Sequence, residues 1–380
     1  MSNLEKKKFT VYQIITVILI AVFCGFSAGL VGEIWISDFI KNGKVEKEKI
    51  ESLSDRLDAL TQKQEKRLKD ILAEKDSSIN QTIDQIRPTI VSFYKFKPQT
   101  GNWSDILLDQ DITGLGTVLT TDGWILTDKA VLAGDTNQIA VSFEKKIYAV
   151  VNYVCDSATT ACFVKIDAQD LPVVNLTSRE FMTSGQTVLA VSADLIFPTS
   201  IECLYCSVAK TRSDLIRSSE KYYQFIKLIE PLNDNWLGAP IVNLDGQLVG
   251  VLSSDNVVVA VDNIQSIMKQ AISSGAITRN FLGVSYIDLS EAVGWQKYAD
   301  YKQGALLFGV DGSPAVMSAS PAQLAGLKSG DIILSIEDEL ITDKSSLTKI
   351  IQSYKSGQEV KIKIMRQGQP LEVNAVLTEM

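Results

Sequence analysis

The chain has 380 residues, room for two folded domains and further segments. Its 45 acidic and 37 basic residues leave a net charge of −8, which repels phosphate backbones and argues against a nucleic-acid partner. With 0 histidines, the chain excludes Ser-His-Asp and Cys-His catalysis and weakens any zinc reading.

Residues 9–32 carry no charge and are dominated by Ile, Val, Leu, Phe and Ala, a run long enough to cross a bilayer as one helix. Lys6, Lys7 and Lys8 precede it, and Glu33 and Asp38 follow. That asymmetry predicts a single pass through the cytoplasmic membrane, N-terminus inside and the bulk of the chain outside. A cleavable signal peptide is the rival reading, although the run is long for one. Phe23 before Cys24 is no small residue, which argues against a lipoprotein cleavage site. Residues 1–36 are thus a cytoplasmic tip and transmembrane anchor.

Residues 37–87 are expected to form a helical or coiled-coil stalk. From 44 to 87 there is no Gly or Pro, and Lys, Glu and Asp abound. Ile50, Leu53, Leu57 and Leu60 follow a/d spacing, and Ile79, Ile83 and Ile86 resume it. Gln64 and Arg67 interrupt the seam. A single solvated helix or a linker is the alternative. Pro88 ends the segment.

Residues 88–275 change character. Short apolar runs such as "GTVLTTDGWILT" and "PIVNLDGQLVGVLSS" alternate with turn signals, among them Asp122-Gly123 and Asp245-Gly246. Helical periodicity is scarce before 262–274. The pattern predicts an all-β domain of sandwich or barrel type. Cys155, Cys162, Cys203 and Cys206 form an even set with three possible pairings, or else remain buried thiols. Cys203 and Cys206 have CxxC spacing in a strand-like run, where they should face opposite ways, against a redox or metal role. No metal site and no cofactor is expected.

Three stretches then resemble one family. "TGLGTVLTTDGWILTDKAV", "ATTACFVKIDAQDLPVVNL" and "IEPLNDNWLGAPIVNLDGQLVGV" resemble, in order and spacing, the barrel segments of HtrA/DegP-like serine proteases of trypsin-like fold. The resemblance implies a double β-barrel. It places the general-base position on Ala130, the orienting-carboxylate position on Thr160 and the nucleophile position on Leu237. The glycine that helps form the oxyanion hole is replaced by Asn235. Ala130 accepts no proton, Thr160 stabilises no imidazolium and Leu237 has no nucleophilic atom. Lys129, Asp234 and Glu230 offer no evident substitute. The Trp236-Leu237 pair is expected to fill the cleft with apolar side chains.

Residues 276–380 resemble a PDZ domain, α+β in class. "GSPAVMSASPAQLAGLKSGDIILSIEDELITD" follows the PDZ core pattern. Ser320-Pro321 suits a helix start, and "EVKIKIMRQGQPLEVNAVL" reads as two strands across a Gln367-Gly368 turn. The resemblance implies that Phe281, Leu282, Gly283 and Val284 capture a peptide carboxylate through backbone N–H groups. Leu347, Ile350, Ile351 and Tyr354 would line the opposite wall. The insertion 285–305 is a candidate cover for that groove.

The overall expectation is a mainly β chain: transmembrane helix, coiled-coil stalk, trypsin-like double barrel and PDZ domain. Functionally, it is expected to be no enzyme but an inactive pseudoprotease, serving as extracytoplasmic scaffold, sensor or chaperone-like adaptor. Expected partners are protein C-termini, an active protease of the same fold, the membrane and further copies of the chain, with a trimer implied by the family. The alternative is an active HtrA-type serine endopeptidase of protein quality control with unorthodox catalytic residues.

Overall fold

The computed structural model describes residues 3–41, 57, 59–67, 79–95, 102–132, 139–310 and 312–380. It divides into two compact units, residues 1–76 and 77–380. In the first, Asn3–Lys41 form one helix. Its stretch Tyr12–Glu33, 22 residues, is apolar and long enough to cross a membrane, at ~33 Å of helix.

Much of the expected stalk, including Ile50 and Leu53, lies outside the described residues. Leu57 and Leu60 stand exposed on a helical stretch. Residues 79–86 are helical but form no seam. Ile86 is buried in the core between the barrels and Ile79 packs against it. Thr82 Oγ1 donates to the Leu244 carbonyl. The apolar stripe of this short helix is thus covered by the β domain, with Pro88 in the 3₁₀ turn that follows.

The first barrel closes in the order β1-β2-β3-β6-β5-β4. Its strands are β1 (Ile90–Lys95), β2 (Ile112–Val118), β3 (Trp124–Asp128), β4 (Ile139–Phe143), β5 (Lys146–Cys155) and β6 (Ala161–Ile166). Strand alternation sorts its side chains between two cores. Ile125 of β3 faces the barrel interior, while Trp124 and Leu126 face the second barrel.

The second barrel follows: β7 (Asn175–Leu176), β8 (Thr187–Val191), β9 (Ile196–Cys206), β11 (Phe225–Leu228), β12 (Pro240–Val242), β13 (Gln247–Leu252) and β14 (Val257–Ala260). The order is β12-β8-β9-β11-β14-β13-β7, and β12 also pairs with β13. The short β10 (Arg217–Ser218) leaves this barrel and joins the C-terminal sheet.

The short β15 (Asn280–Phe281) pairs with the equally short β22 (Thr378–Glu379), and the main C-terminal sheet runs β10-β16-β17-β18-β20-β21, with β16 (Ser285–Asp288), β17 (Ala305–Leu307), β18 (Ile332–Ile336), β20 (Glu359–Arg366) and β21 (Gln369–Val376), while β19 (Glu339–Leu340) pairs with β18. Helix Leu347–Ser353 packs on it, its start fixed by Ser346 Oγ accepting the Lys349 N–H. The insertion after β16 does not cover the groove face. Trp295, Tyr298 and Tyr301 pack with Leu306 and Ile332, on the sheet face opposite Ala305, Leu307 and Ile333.

The described residues contain two disulfides, Cys155–Cys162 and Cys203–Cys206. The first joins directly opposed residues of β5 and β6. The second was unexpected from simple alternation. A register shift against β11 sets Cys203 and Cys206 opposite Lys227 and Phe225, which brings i and i+3 to the same side.

Arg279, at the entrance to the C-terminal domain, forms a bidentate pair with Asp156 after β5, at 2.9 and 2.6 Å. Their side chains are 1% and 0% exposed. Arg279 Nη2 also donates to the Asn263 carbonyl, and its guanidinium lies over the Tyr222 ring. Removing one partner leaves a dry, unpaired charge. Asp156→Ala is therefore expected to cost about 3–5 kcal/mol, whereas a double apolar replacement of Asp156 and Arg279 costs far less. Denaturant midpoints of the three forms measure this.

Candidate functional site

The positions singled out from the sequence converge where the barrels meet. Lys129 N–H donates to the Thr160 carbonyl at 2.7 Å. Leu237 O accepts the Leu115 N–H at 2.7 Å, and Gly238 N–H donates to the Leu252 carbonyl at 2.9 Å. Gly238 has φ +74°, and a Cβ there would lie 2.1 Å from Leu115 O and 2.4 Å from Thr127 Oγ1. Only glycine fits this close approach.

Ala130 is exposed and Thr160 half-buried. Leu237 turns into the first barrel and packs against its core, so it does not fill the cleft. Trp236 does line the cleft and rests near Phe197 of the second barrel, with ring centroids 6.3 Å apart. Lys129, Glu230 and Asp234 are exposed.

Thr160 is part of a hydrogen-bonded chain that the sequence reading overlooked. Asp128, 1% exposed, accepts from the Ala130 N–H and from Thr160 Oγ1. The hydroxyls of Thr160 and Ser253 lie 2.9 Å apart. Since the one Thr160 proton goes to Asp128, Ser253 donates to Thr160. Asp128 ends a strand of otherwise uncharged residues, a signal that could have marked it.

The loop that would supply an oxyanion hole is folded on itself. Asp234–Trp236 form a 3₁₀ turn. The Asn235 N–H donates to Asn233 Oδ1 and the Leu237 N–H to the Asp234 carbonyl. Both N–H groups are therefore engaged, and this conformation offers no free pair to an oxyanion. Beside the loop lies a cleft of about 620 Å³. Its walls include Ser92, Tyr94 and Ser142 of the first barrel, Asp194 and Leu195 of the second, and Asn235. Burial, reinforced by the charges of Asp109 and Asp194, pushes the Tyr94 phenol up.

In the C-terminal domain, Leu282 and Val284 are fully buried, and Gly283 has φ +83°. Phe281 is half-buried and pairs with Thr378. Leu347, Ile350 and Ile351 lie within the domain's core, with Tyr354 packed against it. The structure thus brings the loop and the helix onto one core.

Residues 114–251 match the family of trypsin-like peptidase domains, and residues 281–377 match the PDZ domain family. The chain is HtrA/DegP-like in architecture. Two curated relatives are each named "Probable periplasmic serine endoprotease DegP-like". That of Marinomonas sp. (strain MWYL1) is 29% identical over 291 residues, covering 74% of this chain and 58% of the relative. That of Hahella chejuensis is 28% identical over 271 residues, covering 69% and 56%. The chain therefore spans less than two thirds of the length of these relatives. In fold it is similar to the HtrA-type protease AlgW with tripeptide, with TM-score 0.59, 20% identity and coverage of 79% of this chain and 96% of that one. The decapeptide form gives TM-score 0.57 at 20% identity, covering 79% and 98%.

These names overturn the expectation that the chain is no enzyme: its relatives are named probable serine endoproteases. The physical flaw in that expectation is specific. Ala130, Leu237 and the lack of histidine rule out an imidazole-based triad, but they do not rule out hydrolysis by other groups. A buried carboxylate and two hydroxyls remain at the same place.

Gly238→Ala is expected to destabilise the protein by about 2 kcal/mol or more, through its positive φ and the clash with Leu115 O. A thermal melt of the variant against the parent reads this.

Proposed function

We propose that the protein is an HtrA-type endopeptidase acting outside the cytoplasmic membrane, anchored by its N-terminal helix and engaging protein C-termini through its PDZ domain. The observation that carries this reading is the joining of a trypsin-like double barrel and a PDZ domain in one chain whose relatives are named endoproteases. The apolar helix is consistent with an extracytoplasmic, membrane-anchored protein. In this reading Phe281–Val284 hold the peptide carboxylate, and Leu347, Ile350, Ile351 and Tyr354 shape the groove behind it.

The residues require the chemistry to be unorthodox. The base and the nucleophile must come from outside Ala130 and Leu237. The Asp128–Thr160–Ser253 chain supplies a carboxylate and hydroxyls beside them. The turn at 234–237 must also re-form, so that N–H groups now engaged internally face a developing oxyanion.

The test is cleavage of an unfolded protein by the full chain in detergent, with fluorophosphonate labelling to locate a reactive hydroxyl. Slow cleavage is expected, reduced at least about 100-fold in Asp128→Asn. An absence of both cleavage and labelling, with C-terminal peptide present or not, sinks the endopeptidase reading.

A further inference from the structure

The groove of the PDZ domain already holds a piece of this chain. β10 runs antiparallel to β16, with Arg217 opposite Tyr286 and Ser218 opposite Ser285. One residue on, the Ser219 N–H donates to the Val284 carbonyl at 3.0 Å. Ser219 Oγ accepts the Val284 N–H at 3.1 Å. Glu220 Oε1 then accepts the N–H of Gly283 at 2.9 Å and of Leu282 at 3.3 Å. Ser219 and Glu220 are 0% and 3% exposed.

This is the bonding of a peptide added to a sheet edge, ending in a carboxylate held by a backbone nest. Arg217 to Ser219 supply the strand. The Glu220 side chain supplies the carboxylate, although the chain does not end there. The Lys221 carbonyl accepts from Thr348 Oγ1 of the groove helix at 2.8 Å, so the exit is fastened too. The hydroxyls of Ser218 and Ser219 both donate to Glu220. At the other end, Arg217 pairs with Glu291 and with Asp288.

We propose that residues 217–220 are an internal ligand that closes the PDZ groove, with Glu220 standing in for a peptide's terminal carboxylate, and that protein C-termini bind by displacing them. The inference rests on the PDZ domain's reading as a binder of peptide C-termini. Physically, an internal ligand lowers apparent affinity by the fraction of molecules in which the groove is open. Displacement returns the Glu220 charge to water while a second carboxylate takes the same N–H groups, so the exchange is close to balanced and open to competition.

The experiment uses the full chain in detergent and a fluorescent decapeptide with an apolar C-terminal residue, as free acid and as amide. Glu220→Gln and Glu220→Ala are expected to bind the free acid about tenfold or more tightly than the parent does, and neither should take the amide. Equal affinity in parent and variants, with preference for the free acid kept, overturns the internal ligand and leaves the PDZ reading intact. Equal binding of acid and amide in every form overturns the PDZ reading and the inference with it. Hydrogen exchange on the unmodified chain provides a test independent of the variants. Saturating free-acid peptide should speed exchange across residues 217–221, and unchanged protection there with peptide bound overturns the proposal.

Discussion

One desolvated charge organises the junction between the barrels and the C-terminal domain. Arg279 is buried, and a guanidinium in that setting must be paired. Asp156 supplies the partner from the turn after β5, and that turn does a second job: the Ala158 carbonyl accepts the Tyr222 N–H at 2.9 Å. The stretch leading into 281–284 and the stretch leaving 217–220 are thus fastened to the same few residues. Tyr222 lies over the Arg279 guanidinium, which ties them to each other as well. The meeting of Glu220 with the Leu282 and Gly283 N–H groups follows from this anchoring.

The same turn leads into the buried polar chain. Thr160 lies between the Asp156 turn and β6, and it accepts from Lys129 and Ser253 while donating to Asp128. A side chain this buried has its polar atoms satisfied by hydrogen bonds, here one backbone N–H and one hydroxyl. A framework of glycine, buried carboxylate and tight turn persists around positions that carry no imidazole. In the proposed reading, catalysis draws on that framework after the 234–237 turn rearranges, because the N–H groups of Asn235 and Leu237 are engaged internally in this conformation.

What could be read in the sequence was local. Period-2 runs broken by Asp122-Gly123 and Asp245-Gly246 announced the β domain, and Ser320-Pro321 announced a helix start. The resemblance of three segments to one family marked Ala130, Thr160 and Leu237, and the structure sets the first two beside Asp128. Long-range partners were not legible. Nothing local to Glu220 says that its carboxylate will meet Gly283, 63 residues away. Ile79 and Ile86 kept a heptad interval, but an interval does not say which surface will cover the stripe, and the barrel did so. Cys203 and Cys206 defeated simple alternation because a bulge inserts an extra residue, and bulges are set by the neighbouring strand.

The disulfide between Cys155 and Cys162 encloses a short loop of separation 7 that contains both Asp156 and Thr160. A covalent ring of that size restricts how the unfolded chain can explore, so its effect falls on residues whose placement matters most. The aspartate that seats the C-terminal domain and the threonine of the buried polar chain share one cross-link. The cross-link holds both residues within one short ring between directly opposed positions of β5 and β6.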